Sequence, residues 1–457
     1  MDKKKTRIDF FGGAESVTGS NFLVTDNKTD LKILIDCGLF QGPSALEDLN
    51  YESFPFEPAQ IDFLLVTHAH LDHIGRIPKL VRDGFSGKIY STPPTKEISE
   101  YSFFDSLNVQ NKSGGGDKDK ILFNEQDIKK ALALWETVEY DQSFNLGEYQ
   151  IVAKDAGHIL GSTMWGISRN GRSLIFTGDL GNSPSNLLKD TEPLGPVNYV
   201  VMESVYGDRN HEGKKARRSL LEDVIEETMK KGGTLMIPAF SIERTQQILY
   251  EIEGMMENSR IPLVPVFLDS PFGIEVTRIY KKYAKYLNDD VRDSIESGNE
   301  IFRFPQLQMT LSTEQSKAIF NANPRKIIIA GSGMSTGGRI LHHEKRYLSD
   351  PKSTLLLIGY QQVGTLGRLI QDGAKTIKIM GEEIPVNARI AVIHGYSSHK
   401  DSDHLLHFVD ESADTLEKVY LAMGEPKSAL FLAQRIRDYL GIDARVPKAG
   451  EKVEIDV

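Results

Sequence analysis

Residues 66–75 read VTHAHLDHIG and place three histidines and one aspartate within six positions. Imidazole nitrogen and carboxylate oxygen are the preferred protein ligands of zinc and similar divalent ions. His68 and His70 are two positions apart, a spacing that directs both rings to the same side at the end of a strand. Asp72 and His73 follow in the turn that begins the next helix, where they could face a second ion. The segment therefore predicts a metal centre with two ions.

Three more ligand-type residues stand where an apolar strand meets a glycine turn. They are Asp36 in ILIDCG, His158 in AKDAGHILGS and Asp179 in LIFTGDLG. Sheets deliver functional side chains into a common crevice at such positions, although a single aspartate before glycine is usually only a turn former. The alternative is a structural zinc or a run of surface histidines. Structural zinc sites usually contain cysteine, and Cys37 is the only cysteine of the chain.

Length and composition limit the class of protein. A chain of 457 residues exceeds what one hydrophobic core usually organises, so we expect two domains. No apolar stretch approaches a membrane span, and the first residues lack a secretory signal. A single cysteine fits a reducing cytoplasm. The net charge of −10 argues against broad attraction to polyanions but leaves room for a local basic cleft.

The order of strand-like and helix-like segments predicts an α/β protein. Closely spaced strands in the first 200 residues indicate antiparallel or mixed sheets. From about residue 215, regular alternation of strand and helix indicates a parallel sheet in a different domain. The polar, glycine-rich stretch 108–120 predicts a surface loop.

Several motifs together resemble a known family. The H-x-H-x-D-H motif at 68–73, followed by His158 and Asp179, is similar to the metallo-β-lactamase fold. Motifs in the second half resemble the β-CASP nucleases, a subfamily that includes ribonuclease J and the nuclease of the pre-mRNA 3′-end cleavage complex. These motifs are ESVYGDR (203–209), PAFSIERTQQILYEI (238–252), GSGMSTGGRILHH (331–343), GTLGRLIQDG (364–373) and GYSSHKDS (395–402).

The resemblance implies an αββα metallo-β-lactamase sandwich with an inserted parallel α/β β-CASP domain. The sandwich would comprise residues 1–208 and 391–457, and the insertion residues 209–390. The expected activity is that of a zinc-dependent hydrolase, an exo- or endoribonuclease that cuts RNA phosphodiester bonds with a zinc-activated hydroxide.

The resemblance also implies roles for the ligand-type residues. One zinc would be held by His68, His70 and His158, the other by Asp72 and His73, with Asp179 bridging the two ions. Asp36 would orient a ligand from behind. Glu203 and His399 match the motifs assigned to proton donation, so the expected catalytic residues are Asp72, Glu203 and His399. Without the motif context, Glu203 and His399 would be interpreted as a strand-end carboxylate and a loop histidine.

The glycine-rich sequence GSGMSTGG lacks the Lys-Ser/Thr ending of a P-loop, so we do not interpret it as an ATP site. Ser332, Gly333 and the backbone N–H groups of this turn could bind an RNA phosphate, and a plain tight turn is an equal alternative. Arg244 and Arg368 are further candidates for binding RNA, although charged side chains on helices are more often simply solvated.

One position departs from the family pattern. Family members carry a histidine of the second metal site in a His-Gly-Glu motif near the C-terminus, and Met423 occupies that position in VYLAMGEPKSA. A thioether is a poor zinc ligand, so we expect one tightly bound zinc and a weakened second site, which His394 could supplement. The alternatives to a ribonuclease are a catalytically weak or inactive RNA-binding relative and a small-molecule ester or thioester metallohydrolase. The oligomeric state stays open, a homodimer included.

Overall fold

The computed structural model describes residues 5–113, 121–211, 213–362 and 364–457. Its strands, numbered in chain order, are β1 (Thr6–Gly12), β2 (Asn21–Asp26), β3 (Lys32–Ile35), β4 (Phe63–Leu65), β5 (Lys88–Ser91), β6 (Trp135–Thr137), β7 (Ser143–Leu146), β8 (Tyr149–Asp155), β9 (Thr163–Arg169), β10 (Arg172–Phe176), β11 (Tyr199–Glu203), β12 (Thr234–Pro238), β13 (Val266–Leu268), β14 (Leu307–Met309), β15 (Lys326–Ala330), β16 (Thr354–Leu357), β17 (Thr376–Ile379), β18 (Glu382–Pro385), β19 (Arg389–Val392), β20 (Lys418–Ala422), β21 (Asp443–Arg445) and β22 (Lys452–Ile455).

The α-helices are α1 (Ser44–Glu47), α2 (Leu71–Ile74), α3 (Ile77–Arg82), α4 (Pro93–Ser113), α5 (Glu125–Ala133), α6 (Lys214–Lys231), α7 (Arg244–Glu257), α8 (Pro271–Lys282), α9 (Asp289–Glu296), α10 (Thr313–Ala318), α11 (Ile340–Tyr347), α12 (Leu366–Gln371), α13 (Ser402–Asp410) and α14 (Pro426–Leu440). The loop prediction for 108–120 is wrong for residues 108–113, which continue α4. Asparagine, glutamine and lysine are tolerated in a helix interior, and glycines begin only at residue 114. Residues 114–120 lie outside the described residues.

The described chain divides into two compact units, one ending at Asn210 and resuming at His399, the other spanning His211–Ser398. In the first unit, two seven-stranded mixed sheets run in the orders β22-β1-β2-β3-β4-β5-β6 and β21-β20-β11-β10-β9-β8-β7. Phe22 of one sheet meets Phe176 of the other, with ring centroids 5.8 Å apart, inside one buried cluster drawn from both sheets. This shared core makes the unit a sandwich.

Helices cover the outer sides of this sandwich. Leu405 of α13 and Leu432 of α14 pack with Val419 against the second sheet. On the side of the first sheet, α3 and α5 bury Leu80 and Ile128. Helices outside two packed sheets give the αββα arrangement, which confirms the predicted fold class.

The second unit contains a six-stranded sheet in the order β14-β13-β15-β12-β16-β19, in which every neighbouring pair is parallel. Strands β12, β13, β15 and β16 are buried along their whole length, as expected when helices cover both faces of a parallel sheet. The hairpin of β17 and β18 forms a separate two-stranded sheet.

Candidate metal centre and active site

Four ligand-type side chains of the first unit converge although they are far apart in sequence. His68 follows β4, His158 follows β8 and Asp179 follows β10. The four donor atoms, one from each of His68, His70, His158 and Asp179, all lie within 4.8 Å of one another. His70 Nδ1 is 3.1 Å from His68 Nε2 and 3.3 Å from His158 Nε2. Asp179 Oδ2 is 3.5 Å from each of those two Nε2 atoms.

These separations fit a tetrahedral metal ion. With metal–ligand distances of ~2.0–2.1 Å, neighbouring ligand atoms around zinc lie about 3.3 Å apart. The four measured separations cluster around that value. Three nitrogens and one carboxylate oxygen are also a donor set that zinc accepts. The arrangement of these four side chains is therefore compatible with a metal site.

The pKa shifts of these four side chains favour the protonation states that bind a metal ion. Burial, together with the neighbouring histidines, holds the pKa of His70 and of His158 well below the usual value, and burial lowers the pKa of His68. Burial alone raises a carboxyl pKa, but the imidazoles of His73 and His399 hold the pKa of Asp179 well below its usual range. Neutral imidazoles and an ionised carboxylate are the forms that bind metals.

A second position lies on the other side of Asp179. While Oδ2 faces His68 and His158, Oδ1 is 3.4 Å from His73 Nε2. His73 Nε2 is buried and has no hydrogen-bond partner among the described residues. Asp72 Oδ2 is 4.0 Å from the same nitrogen. Although burial lowers the pKa of His73, the carboxylates of Asp179 and Asp36 hold that pKa well above its usual value, so a cation bound here would replace the proton on Nε2.

Asp36 fixes the orientation of His73. His73 Nδ1–H donates to Asp36 Oδ2 at 2.7 Å, which leaves Nε2 as the free ring nitrogen. The same carboxylate accepts the backbone N–H and the hydroxyl of Thr67, both at 2.8 Å. Thr67 Oγ1 also lies 3.1 Å from His68 Nδ1. Sequence reasoning missed Thr67, because a threonine at the end of a strand carries no signal beyond its place before the first histidine.

Glu203 and His399 form a pair beside this centre. His399 Nδ1 is 3.1 and 3.2 Å from the two carboxylate oxygens of Glu203 and 3.9 Å from Asp179 Oδ2. Glu203 is fully buried and accepts the backbone N–H of Leu180 at 2.6 Å. Burial raises the pKa of Glu203 against the opposing effect of His399. The pair holds one imidazole face next to His158, whose ring centroid is 4.7 Å away.

Met423 is buried in the core between the two sheets. Its backbone φ is +47°, in the left-handed region. Its sulfur lies 3.7 Å from Ser20 Oγ, and that hydroxyl lies 3.2 Å from Asp36 Oδ2. Met423 therefore stands behind the Asp36–His73 pair, separated from it by one serine.

The residues predicted to bind RNA belong to the second unit. Ser332 Oγ accepts the N–H groups of Thr336 at 2.9 Å and Gly337 at 3.2 Å, which closes the glycine-rich turn on itself. A Cβ on Gly333 would lie 2.6 Å from the ring of Phe240, so glycine is required there by packing. These contacts agree with the turn interpretation, and phosphate binding by Ser332 and Gly333 stays a prediction.

Arg244, Arg368 and His394 lie in different surroundings. Arg244 is buried, and its guanidinium donates to Ser398 Oγ. Arg368 Nε donates to both oxygens of Asp372 at 2.9 Å. His394 is exposed, and among the described residues it belongs neither to the His68–His70–His158–Asp179 group nor to the group formed by Asp179, Glu203 and His399.

Three family descriptions match consecutive parts of the chain. Residues 23–203 match the metallo-beta-lactamase superfamily domain, and residues 245–370 match the Beta-Casp domain. Residues 383–447 match the Zn-dependent metallo-hydrolase RNA specificity domain.

Among the described residues, no helix combines the length and apolar character that a membrane crossing requires.

Three proteins are similar in sequence to nearly the whole of this chain. Ribonuclease TTHA0252 of Thermus thermophilus is 36% identical, over 98% of this chain and 100% of that protein. Transcription termination factor FttA of Methanosarcina mazei is 32% identical, over 96% of this chain and 70% of that protein. The RNase J-like protein of Methanocaldococcus jannaschii is 30% identical, over 97% of this chain and 98% of that protein.

A solved structure shares the fold. The crystal structure of a protein of unknown function from Enterococcus faecalis V583 superposes with a TM-score of 0.56 at 13% identity, over 99% of this chain and 100% of that one. The sandwich, the inserted parallel sheet, the three consecutive domain matches and the full-length relatives lead to one conclusion. The chain belongs to the metallo-β-lactamase-fold β-CASP nuclease family.

Proposed function

We propose that this protein is a zinc-dependent ribonuclease that hydrolyses RNA phosphodiester bonds. The observation that carries the proposal is the position of Asp179, whose Oδ2 faces the His68–His70–His158 group while Oδ1 faces His73. A carboxylate with one oxygen toward each of two ligand groups is suited to bridge two metal ions. Zinc ions at these positions would supply a water of lowered pKa and neutralise charge on the phosphoryl oxygens.

The geometry supports the ligand roles proposed here. His68, His70 and His158 would hold the tighter ion, and His73 with Asp72 would hold the other. Asp36 serves as a positioning residue, because its hydrogen bond to His73 Nδ1 turns Nε2 toward the second ion.

His399 would act as the general acid. Glu203 accepts the hydrogen bond of His399 Nδ1, which leaves Nε2 to deliver a proton to the departing oxygen of RNA. Leu180 N–H fixes the Glu203 carboxylate, so the imidazole is held in one orientation. The mechanism thus separates metal binding from proton donation and gives each its own residues.

RNA as substrate is supported by the names of relatives, two of which are ribonucleases or RNase J-like, and by the RNA specificity domain that matches residues 383–447. We further propose functional domains at 1–208 with 391–457 and at 209–390, with Ser332, Gly333, Arg244 and Arg368 as RNA-binding candidates. Cytoplasmic location stays a prediction.

A second candidate function is RNA binding with weak catalysis. The burial of Met423 favours it, because a core methionine replaces a family ligand of the second ion and a thioether is a poor zinc ligand.

One experiment separates the two functions. Purified protein is incubated with labelled RNA, with added zinc and with chelator, while RNA binding is followed in parallel. The ribonuclease proposal expects cleavage that zinc supports and chelator abolishes. Binding without cleavage at any zinc concentration would support the second candidate, and an activity toward small esters alone would contradict both.

A further inference from the structure

The loops that follow β12, β15 and β16 lie at the carboxyl-terminal edge of the parallel sheet in the second unit. β12 connects through α7 to β13 on one side, whereas β15 connects through α11 to β16 on the other. β12 and β15 are neighbours, and their connections pass each other in opposite directions along the sheet, so right-handed crossovers place these connections on opposite faces. In open parallel sheets, ligands bind outside the carboxyl ends of neighbouring strands whose connections leave toward opposite faces.

An aromatic side chain occupies this edge. Phe240 follows β12 and is 39% exposed. Its ring lies over Gly333 and beside Gly359, because a Cβ on these glycines would approach ring carbons of Phe240 to 2.6 and 3.7 Å. The two glycines therefore make room for the ring and support it from the loops after β15 and β16.

A side-chain amide ties those two loops together. Gln361 is buried, and its Nε2 donates to Gly333 O at 3.1 Å and to Gly359 O at 3.2 Å. The support beneath Phe240 is thereby fixed in position. Tyr360, which lies between Gly359 and Gln361 in sequence, is 43% exposed. A half-exposed ring on a rigid backbone support is preorganised to receive a flat partner.

Hydroxyl groups line the same edge. Ser241 Oγ and Ser270 Oγ are 3.3 Å apart, and each lies 3.6 Å from the Cβ position of Gly331. Ser241 follows Phe240 directly in sequence, and its hydroxyl can bind a phosphate or a ribose. An aromatic face with adjacent polar groups is how proteins bind unpaired nucleotides, because every base has a π-face.

We propose that Phe240 stacks against an unpaired RNA base, with Tyr360 as a second stacking residue and Ser241 beside the sugar-phosphate backbone. This inference rests on the proposed function in that the ligand is single-stranded RNA. It adds a base-binding site, carried by the inserted unit, to the catalytic residues of the first unit.

The first test measures binding without cleavage. Fluorescein-labelled oligoadenosine, and an abasic ribose-phosphate oligomer of equal length, are titrated in chelator against the full chain, Phe240→Leu and Tyr360→Leu. Stacking predicts that Phe240→Leu weakens binding of oligoadenosine about 5- to 150-fold and leaves binding of the abasic oligomer unchanged. Tyr439→Leu, on α14, removes a 72% exposed tyrosine elsewhere and serves as the control that should bind normally.

The second test does not depend on a loss of affinity. Both natural tryptophans, Trp135 and Trp165, are buried in the first unit. In Phe240→Trp, a new indole is exposed at the proposed site, and we expect oligoadenosine to quench its emission while the abasic oligomer does not. Tyr439→Trp should show no such quenching. Equal loss of affinity for both oligomers, or unquenched emission of Phe240→Trp, would overturn the proposal. Zinc-dependent cleavage by the unaltered chain is followed separately, so a failed nuclease and a failed stacking site give different results.

Discussion

Single residues decide the chemistry of the candidate site. Asp179 is the most informative, because each of its oxygens faces a different ligand group. Glu203 and His399 are the next most informative residues, because the hydrogen bonds between them couple the two side chains into one unit. Met423 is the position at which the sequence analysis predicts a departure from the family pattern. Predictions about cleavage and metal affinity therefore belong to these residues.

The first prediction concerns the proton donor. His399→Ala should lower RNA cleavage by roughly 10²–10⁴, the usual contribution of a general acid, and leave zinc content unchanged. Glu203→Gln added to His399→Ala should cost little more, because Glu203 acts through the imidazole. Single-turnover cleavage rates of the unaltered chain, His399→Ala, Glu203→Gln and the double variant give the comparison. If the fold losses of the two single variants multiply fully in the double variant, the two residues act independently.

The second prediction concerns Met423. Met423→His should bind the second zinc at least about 10–100-fold more tightly and cleave RNA faster at low zinc, because imidazole is a better zinc ligand than thioether. Histidine also tolerates the left-handed φ of +47° at this position better than most residues. Zinc titration by calorimetry measures the change. Met423→Leu is the matched control, and a histidine variant that binds zinc no better than the leucine variant would show that position 423 does not reach the site.

Secondary-structure elements decide which side chains share an edge of a sheet. In the first unit, the ends of β4, β8, β10 and β11 bring His68, His158, Asp179 and Glu203 together. In the second unit, the glycine-rich turn after β15 leads into α11, whose buried Glu344 anchors the turn. Ser335 Oγ donates to Glu344 Oε1 at 2.5 Å, and Glu344 Oε2 has no partner among the described residues.

The third prediction follows from this helix. Burial raises the pKa of Glu344 from 4.5 to about 7, so the folded state holds its proton more tightly than the unfolded state. The resulting stabilisation is complete below about pH 4.5 and is lost as the pH rises toward about 7. Glu344→Gln should therefore show a smaller fall in melting temperature between pH ~5 and pH ~8 than the unaltered chain. Parallel melting curves for both forms test this, and an identical fall would contradict it.

At the scale of the whole molecule, we expect metal binding to be linked to folding. The proposed metal ligands come from segments between residues 68 and 179, so an ion bound by them would join parts of the chain that are separate when unfolded. A ligand that binds only the folded state raises its stability by mass action.

The fourth prediction is a metal stoichiometry. Purified protein should contain about one zinc per chain, and up to about two after zinc is added. Chelation should lower the melting temperature, and His158→Ala should abolish most of that difference because one ligand of the tighter site is gone. Elemental analysis and melting curves with and without chelator measure both effects. Less than half an equivalent after zinc-replete purification would remove the metal centre from the proposal.

The sequence by itself determined the local features of this protein. The i, i+2 spacing of His68 and His70 directs two rings to one side through backbone geometry alone. The order of strands and helices predicted a mixed and a parallel sheet, because each pattern reflects local burial. The long-range motifs then identified the family.

Tertiary structure decided the rest. Which oxygen of Asp179 faces which histidine depends on the pairing of strands distant in sequence, and a shift of one residue in register would turn a side chain to the opposite face. Packing likewise decides three further features: Arg244 is buried, Ser332 closes its turn, and the Phe240 ring packs against Gly333 and Gly359. No local pattern encodes them, because each depends on contacts between residues brought together only when the sheets form.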